Sequence, residues 1–281
     1  MTRTRFLLVL AALLSATVLT QCGSGRRGET ITLKGSDTMV ILGQRWAEVY
    51  METHKGVVIQ VTGGGSGTGI AALINGTTDV AQSSRSIKSE EQKQIDDRYD
   101  EPPHETVVAR DGLAIYVSES NPLKEVTIAQ LKAIYTGQTK NWKELGGPDA
   151  PIVPYGRENN SGTYVYFKEH VLENADFAAE IQTLPGTAAV VNAVAQDKNA
   201  IGYGGAAYAK GVSELGVKKD DATPAVKPTL ATVLDGSYPI SRPLFWYTRQ
   251  APEGALLEFV TWALSAEGQK IVTDVGYYPV Q

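Results

Sequence analysis

The sequence predicts an α/β protein of two lobes joined by two crossovers, with a cleft between them. Short apolar strands alternate with amphipathic helices along the body of the chain, which is the pattern of an α/β protein. One extended segment, 106–117, is longer than its neighbours and carries Arg110-Asp111-Gly112 in its middle, so it has the length to leave one lobe and enter the other. After Lys227 the chain turns apolar again and can return. Clefts between such lobes, at the carboxyl ends of strands, are where α/β proteins bind ligands.

The elements follow in order. Ile31–Leu33 and Val57–Val61 are apolar runs that read as strands, and between them Ile41, Leu42, Trp46, Val49 and Tyr50 recur at helical spacing over 38–53. A glycine-rich stretch, Gly63 to Gly69, leads into the helical run Ile70–Asn75. A strand is expected at 79–83, then a polar helix to Tyr99 opened by the capping box Ser89-Glu90-Glu91-Gln92. Thr127-Ile128-Ala129-Gln130 is a second box, starting a helix through Tyr135. Ile152–Tyr155 reads as a strand, and helices are expected at 164–172, 187–198 and 254–274, the last broken near Ser265. Further strands are expected at 200–204 and 243–248, where Phe245-Trp246-Tyr247 is core. The segment 211–228, with Lys218-Lys219-Asp220-Asp221 and two prolines, reads as an exposed connection.

The first residues are an address. Arg3 and Arg5 precede the apolar run Phe6–Leu14, which is too short for an ordinary membrane span and is followed by small and polar residues. Taking residues 1–21 from the 281 leaves 260, and two arginines leave with them, so the formal charge moves from −5 to −7. So acidic a chain is a poor partner for nucleic acid or an anionic membrane surface. Cys22 is the single cysteine, so no intramolecular disulfide forms and the core alone must hold the exported domain. His54, His104 and His170 are scattered and have no metal-ligand spacing, and no cofactor is expected.

Three loops share one design. Gly63-Gly64-Gly65-Ser66-Gly67-Thr68-Gly69, Gly35-Ser36-Asp37-Thr38 and Asn160-Ser161-Gly162-Thr163 each lie between a strand and a helix and offer small hydroxyls or bare backbone. A helix start presents unpaired N–H groups and a positive dipole end, and glycine lets the backbone approach closely, which is the chemistry of an anion site. Arg157 ends a strand just before the third loop and can give a charged, bidentate pair. It can instead form a surface pair with Glu158.

Two enzyme readings compete. Gly67-Thr68-Gly69-Ile70-Ala71-Ala72 fits a dinucleotide fingerprint, which would make the chain an oxidoreductase, but the acidic residue due about twenty positions on falls at Glu90 or Glu91, inside a polar helix. Export away from the cytosolic cofactors also counts against it. Gly64-Gly65-Ser66-Gly67-Thr68 misses the nucleophile elbow of a serine hydrolase at its last glycine.

In this order the motifs resemble the phosphate-binding proteins of bacterial phosphate ABC transporters. The resemblance is carried by Gly35-Ser36-Asp37-Thr38, Trp46-Ala47-Glu48-Val49-Tyr50, Gly63–Gly69 leading to Asp79–Arg85, and Asp111-Gly112-Leu113-Ala114. It continues through Asn141–Gly147, Gly156-Arg157 to Ser161-Gly162-Thr163, Ile201-Gly202-Tyr203 and the tail Ser265–Gly276, so that it runs from Ile31 to the C-terminus. It implies a periplasmic-binding-protein fold whose two lobes close on inorganic phosphate, a monomer without catalysis that hands its ligand to permease subunits. One lobe is then 31–108 plus 245–281 and the other 109–244. Leu19-Thr20-Gln21-Cys22 resembles a lipoprotein box, with Gln21 where a small residue normally sits. This implies that 1–21 is a lipoprotein-type signal peptide, that 22–30 is a tether, and that a lipid on Cys22 holds the exported protein to the membrane.

Residue by residue, the resemblance implies ligand contacts from Thr38 and the Met39 amide, from Ser66, and from Arg157, Ser161, Gly162 and Thr163, with Ser36 and Gly67 as neighbours that can add to them. Ser84 stands where members carry the aspartate that accepts the proton of hydrogen phosphate, and a serine both accepts and donates. Asp37 is the carboxylate available to replace it, or else an N-cap for the helix starting near Met39. Arg85 is a second cation for the site or pairs with an acid such as Glu90. With Ser84 in that place, another tetrahedral oxyanion such as arsenate stays open as the ligand.

Overall fold

The computed structural model describes residues 29–280; the export segment, Cys22 and most of the tether lie outside the described residues. In chain order the strands and helices are β1 (Glu29–Gly35), α1 (Val40–Thr53), β2 (Val57–Thr62), α2 (Ser66–Ile74), β3 (Val80–Ser83), α3 (Ser89–Tyr99) and the long β4 (His104–Val117). There follow β5 (Glu125–Thr127), α4 (Ile128–Tyr135), β6 (Val153–Arg157), α5 (Gly162–His170), β7 (Gln182–Leu184), α6 (Thr187–Gln196), β8 (Ala200–Gly205) and β9 (Ser213–Lys218). Then come α7 (Leu230–Leu234), β10 (Ser241–Thr248), α8 (Gly254–Leu264) and α9 (Ala266–Val275).

The sheet runs β2-β1-β3-β10-β4-β8-β6-β7, with β9 pairing β4 and β5. β4 belongs to both halves. Its residues 104–112 pair antiparallel with β10, and its residues 113–117 pair with β8 and, in part, β9. Every residue from Leu113 to Val117 is buried, as its unbroken apolar run requires of a strand covered on both faces. This is the two-lobed fold, with β4 leading out of the first lobe and β10 leading back into it.

Each lobe closes its own core. In the first, Leu42, Trp46 and Tyr50 fall one helical turn apart on the inner face of α1. Trp46 stands edge-on to Trp246 at 5.1 Å and donates its indole N–H to the Gly268 carbonyl at 2.8 Å, which ties α1 to β10 and α9. In the second, Phe167 stacks on Tyr203 at 4.0 Å with Tyr135 edge-on to both. The tail makes a third pass between the lobes. Arg110 and Tyr278 exchange backbone hydrogen bonds of 2.7 and 3.1 Å, and the neighbours Tyr277 and Tyr278 enter the first and second core respectively.

Three expectations need correcting. The segment 211–228 is not all exposed connection: β9 lies within it, with Leu215 and Val217 buried between β4 and β5, and most of the chain that follows it, from Lys219 to Lys227, is exposed. α2 begins at Ser66 and not at Ile70, which puts Gly67 and Gly69 in its first turn. A Cβ on Gly69 would come within 2.3 Å of the Lys34 carbonyl, so the glycine serves close packing of helix on strand. α3 is capped by Lys88, not Ser89: the Glu91 carboxylate takes the Lys88 N–H at 2.9 Å, and the reciprocal half of the box is missing because lysine has no acceptor. The break at Ser265 is where expected, with its hydroxyl accepting from the Gly268 amide at 3.4 Å.

Trp46 gives a test of how this core is held. Trp46→Ala leaves a cavity between α1, β10 and α9 and removes the bond to Gly268, so the variant is expected to lose about 3–5 kcal/mol in a denaturant melt. A loss under about 1 kcal/mol would mean that α1 is held elsewhere.

Candidate functional site

The first loop enters the cleft as a short 3₁₀ turn, Asp37–Met39. Its carbonyls are occupied on the far side: Tyr208 of the second lobe donates its hydroxyl to the Asp37 carbonyl at 2.7 Å, and Tyr277 donates to that of Thr38. The side chains therefore face the other loops. Thr38 Oγ1 lies 3.0 Å from Thr163 Oγ1, a contact made across the two lobes. Ser36 donates to Ser84 Oγ at 2.8 Å, and Ser66 Oγ accepts the Ser84 amide at 3.1 Å with the two hydroxyls 3.5 Å apart. Thr38, Ser66, Ser84 and Thr163 are all fully buried.

The third loop completes the cluster. Ser161 caps α5, its Oγ accepting from the amides of Thr163 at 3.2 Å and Tyr164 at 3.4 Å, so its own O–H remains to donate. A Cβ on Gly162 would stand 2.3 Å from Ser66 Oγ and 2.7 Å from Ser84 Oγ. Only glycine allows the second lobe's backbone this close to the first lobe's hydroxyls. The N-termini of α2 and α5 meet here from opposite lobes, each bringing the positive end of its dipole.

Two buried arginines flank the hydroxyls. Arg242, at the start of β10, sits opposite Asp111 in the β4 register and binds one of its oxygens with both Nε, at 3.1 Å, and Nη2, at 2.9 Å. The same Nη2 reaches Thr163 Oγ1 at 3.0 Å and Thr38 Oγ1 at 3.4 Å, while Nη1 donates to the Ser84 carbonyl at 3.1 Å. Burial pushes the Asp111 carboxyl up, against the pull of Arg242. Arg157 gives Nη1 to Thr187 Oγ1 at 2.9 Å and Nη2 to Asp37 Oδ2 at 2.6 Å. Burial lowers its pKa against the pull of Asp37.

The three loops lie together in the fold, and several side chains take partners other than those expected. Arg157 pairs with Asp37 across the cleft, not with Glu158. Asp37 is not an N-cap: its carboxylate takes the Gly64 amide at 2.8 Å as well as Arg157, so both its oxygens are engaged by the protein. The Met39 amide closes the 3₁₀ turn on the Ser36 carbonyl at 3.0 Å. The Gly67 amide goes to the Asn160 carbonyl at 2.9 Å, and Asn160 also donates its side-chain amide to the Gly64 carbonyl at 3.0 Å and to Thr68 Oγ1 at 3.2 Å. Arg85 pairs with Glu91, not Glu90, through both terminal nitrogens at 2.8 and 2.7 Å. That leaves neither Glu90 nor Glu91 at a strand end to bind a ribose, and it removes the dinucleotide reading's second requirement.

Asp111 and Arg242 escaped sequence reasoning as site residues. Their signal is a charge inside an otherwise apolar strand: Asp111 precedes Gly112-Leu113-Ala114-Ile115, and Arg242 precedes Pro243-Leu244-Phe245-Trp246. Such a charge is buried only with a partner. Among the described residues no group of three His, Cys, Asp or Glu side chains is placed to hold a metal, and no helix is long and apolar enough to cross a membrane.

Residues 20–267 match the PBP superfamily domain. Phosphate-binding protein PstS of Pseudomonas aeruginosa is 35% identical, over 92% of this chain and 85% of that protein. The protein of the same name from Staphylococcus epidermidis is 35% identical over 96% and 87%. In structure, a Clostridium perfringens protein described as a phosphate ABC transporter substrate-binding protein, solved with bound phosphate, superposes with a TM-score of 0.81 at 32% identity, covering 90% of this chain and 100% of that one. An ABC-type phosphate transport receptor from Vibrio cholerae gives 0.70 at 28% identity, over 88% and 99%.

Proposed function

The chain belongs to the PBP superfamily and, within it, to the phosphate-binding proteins, and from that membership and its cleft we propose that it is a receptor for inorganic phosphate that serves an ABC transporter. One observation carries the reading: hydroxyls from three loops of two lobes converge, with Thr38 and Thr163 in contact across the cleft and a buried arginine on both of them. Thr38, Ser66, Ser84, Ser161 and Thr163 supply neutral donors, Gly162 supplies close backbone, and the buried Arg157 and Arg242 supply charge. Many charge-assisted hydrogen bonds in a closed, water-poor cleft are what a small oxyanion needs for tight binding, about −8 kcal/mol at micromolar affinity.

Capture is the whole activity, with no chemical step. Phosphate touches both lobes and so favours the closed form, and closure is the signal that permease subunits read. The protein works outside the cytoplasm as a monomer, anchored through a lipid on Cys22 at the end of the signal segment.

Calorimetric titration with phosphate, sulfate and an NAD cofactor tests the ligand. Phosphate is expected to bind with micromolar or tighter affinity and NAD to give no heat. A response to another oxyanion in place of phosphate would move the assignment to that ion.

Gly162→Ala tests the cleft itself. The added methyl forces Ser66 and Ser84 to turn their hydroxyls away while the start of α5 keeps its cap, so the variant is expected to melt as the parent does and to bind phosphate at least about tenfold more weakly. Unchanged affinity would place the ligand elsewhere.

Attachment is tested by fractionation. The exported protein is expected with the membranes and Cys22→Ser is expected to release it or block its processing; a parent protein found wholly in the soluble fraction and cleaved at another site would remove the anchor.

A further inference from the structure

The chain passes from β6 to α5 through a turn that the Ser161 amide closes on the Glu158 carbonyl at 2.9 Å. Asparagine suits such a turn, because its side chain can bond to its own nearby backbone. Asn160 uses its side chain otherwise. Among the described residues it makes no side-chain hydrogen bond within its own lobe: Nδ2 donates to the Gly64 carbonyl at 3.0 Å and to Thr68 Oγ1 at 3.2 Å, both in the first lobe. Its carbonyl accepts the Gly67 amide, also of the first lobe, at 2.9 Å.

The surface that receives Asn160 is shaped for close approach. Gly65 has a φ of 90°, and a Cβ there would stand 2.7 Å from the Asn160 carbonyl oxygen; one on Gly67 would stand 3.3 Å from it. A side chain at 65 would be strained by its own backbone and blocked by the other lobe, so glycine at this position serves the contact between lobes. Gly64 beside it is held at both ends, its carbonyl by Asn160 and its amide by the Asp37 carboxylate at 2.8 Å.

These bonds lie next to the cleft hydroxyls along the chain. Asn160 directly precedes Ser161, and Gly67 directly follows Ser66, so the backbone bond from 67 to 160 draws those two hydroxyl residues together from opposite lobes. Ser66 and Ser161 are buried, while Asn160 is exposed at the rim. All three bonds join the two lobes, so none of them survives when the cleft opens.

We propose that Asn160 is a positioning residue of the phosphate cleft: it sets the third loop in register on the glycine-rich loop and holds the closed mouth, so that it governs how fast phosphate leaves and not how fast it arrives. This rests on the reading of the protein as a phosphate receptor. Association starts from the open form, which lacks the three bonds, whereas release must break them, and contacts made only after encounter act on the rate of leaving.

Stopped-flow association and release of phosphate test this in the parent, Asn160→Ala, Thr68→Val and their combination, with thermal melts showing that each folds. Asn160→Ala keeps the backbone bond and loses both side-chain bonds, and is expected to release phosphate about tenfold faster while associating no more slowly than the parent. Thr68→Val removes one of those two bonds and is expected to speed release about threefold. The combination is expected to release no faster than Asn160→Ala alone, because both changes remove the same contact.

Release from folded Asn160→Ala within about twofold of the parent would overturn the assignment, since two hydrogen bonds across the mouth would then carry nothing. So would a loss of affinity carried by slower association, or a combination in which the two single effects multiply. If the parent takes another oxyanion in place of phosphate, the same comparison is made with that ion; a parent that binds none sinks the receptor reading, which is a separate result.

Discussion

A charge taken out of water costs several kcal/mol unless a partner of opposite sign goes with it. The Asp111–Arg242 pair, 1% exposed on each side, is where this protein meets that constraint, and much of the architecture follows from it. The two residues sit opposite each other on β4 and β10, so the pair forms only when the outgoing and returning strands lie side by side. Once it forms, the surplus donors of Arg242 must also be satisfied, and the groups in reach are the Ser84 carbonyl and the hydroxyls of Thr38 and Thr163. A buried charge on the hinge thus fixes where three loops from two lobes must end.

The overall charge of the chain works against an anion, yet long-range repulsion is screened over about 8–10 Å at physiological salt while buried contacts are not. Inside the cleft the balance is local and positive. The first turns of α2 and α5 point their amide ends inward, Arg242 and Arg157 bring formal charge, and the nearest carboxylates, Asp111 and Asp37, are each already bound to an arginine. Neutral hydroxyls then do most of the lining. A threonine or serine hydroxyl both donates and accepts, so in the closed form the cluster satisfies itself, Thr38 against Thr163 and Ser36 against Ser84, without leaving an obligate donor unpaired.

What the sequence made legible is what local pattern controls. The alternation of strand and helix, the length of β4, the break at Ser265 and the capping box at Thr127 all depend on residues within a few positions of one another, and each was read nearly to the residue. β9 was missed because its buried residues, Leu215 to Val217, form too short a run beside Lys218-Lys219-Asp220-Asp221 to show a period. The site divided in the same way. Strand-loop-helix junctions with small hydroxyls are a local signature, so the three loops were found. Which partner each charge takes is a property of lobe closure, between positions as far apart as Asp37 and Arg157 or Asp111 and Arg242, and no spacing along the chain records it.

The glycine-rich loop also has a partner within the protein. Its bare amides and the start of α2 do form a cradle for an oxygen, as the composition implies. The oxygen that occupies it is the Asn160 carbonyl from the opposite lobe, at 2.9 Å from the Gly67 amide, with the Asn160 side chain returning two hydrogen bonds to Gly64 and Thr68. The cradle therefore recognises the other lobe, and closure draws on direct contacts as well as on a ligand. Such contacts must stay weak in sum, because lobes that close too firmly without ligand would leave little for the ligand to change, and a ligand shifts an equilibrium only by its differential affinity for the two forms. Asn160 sits at the exposed rim and the Asp37 side chain is 19% exposed, so water competes for both contacts. The buried bonds that water cannot reach are those around Thr38, Thr163 and Arg242, where a ligand shared by both lobes has the most to add.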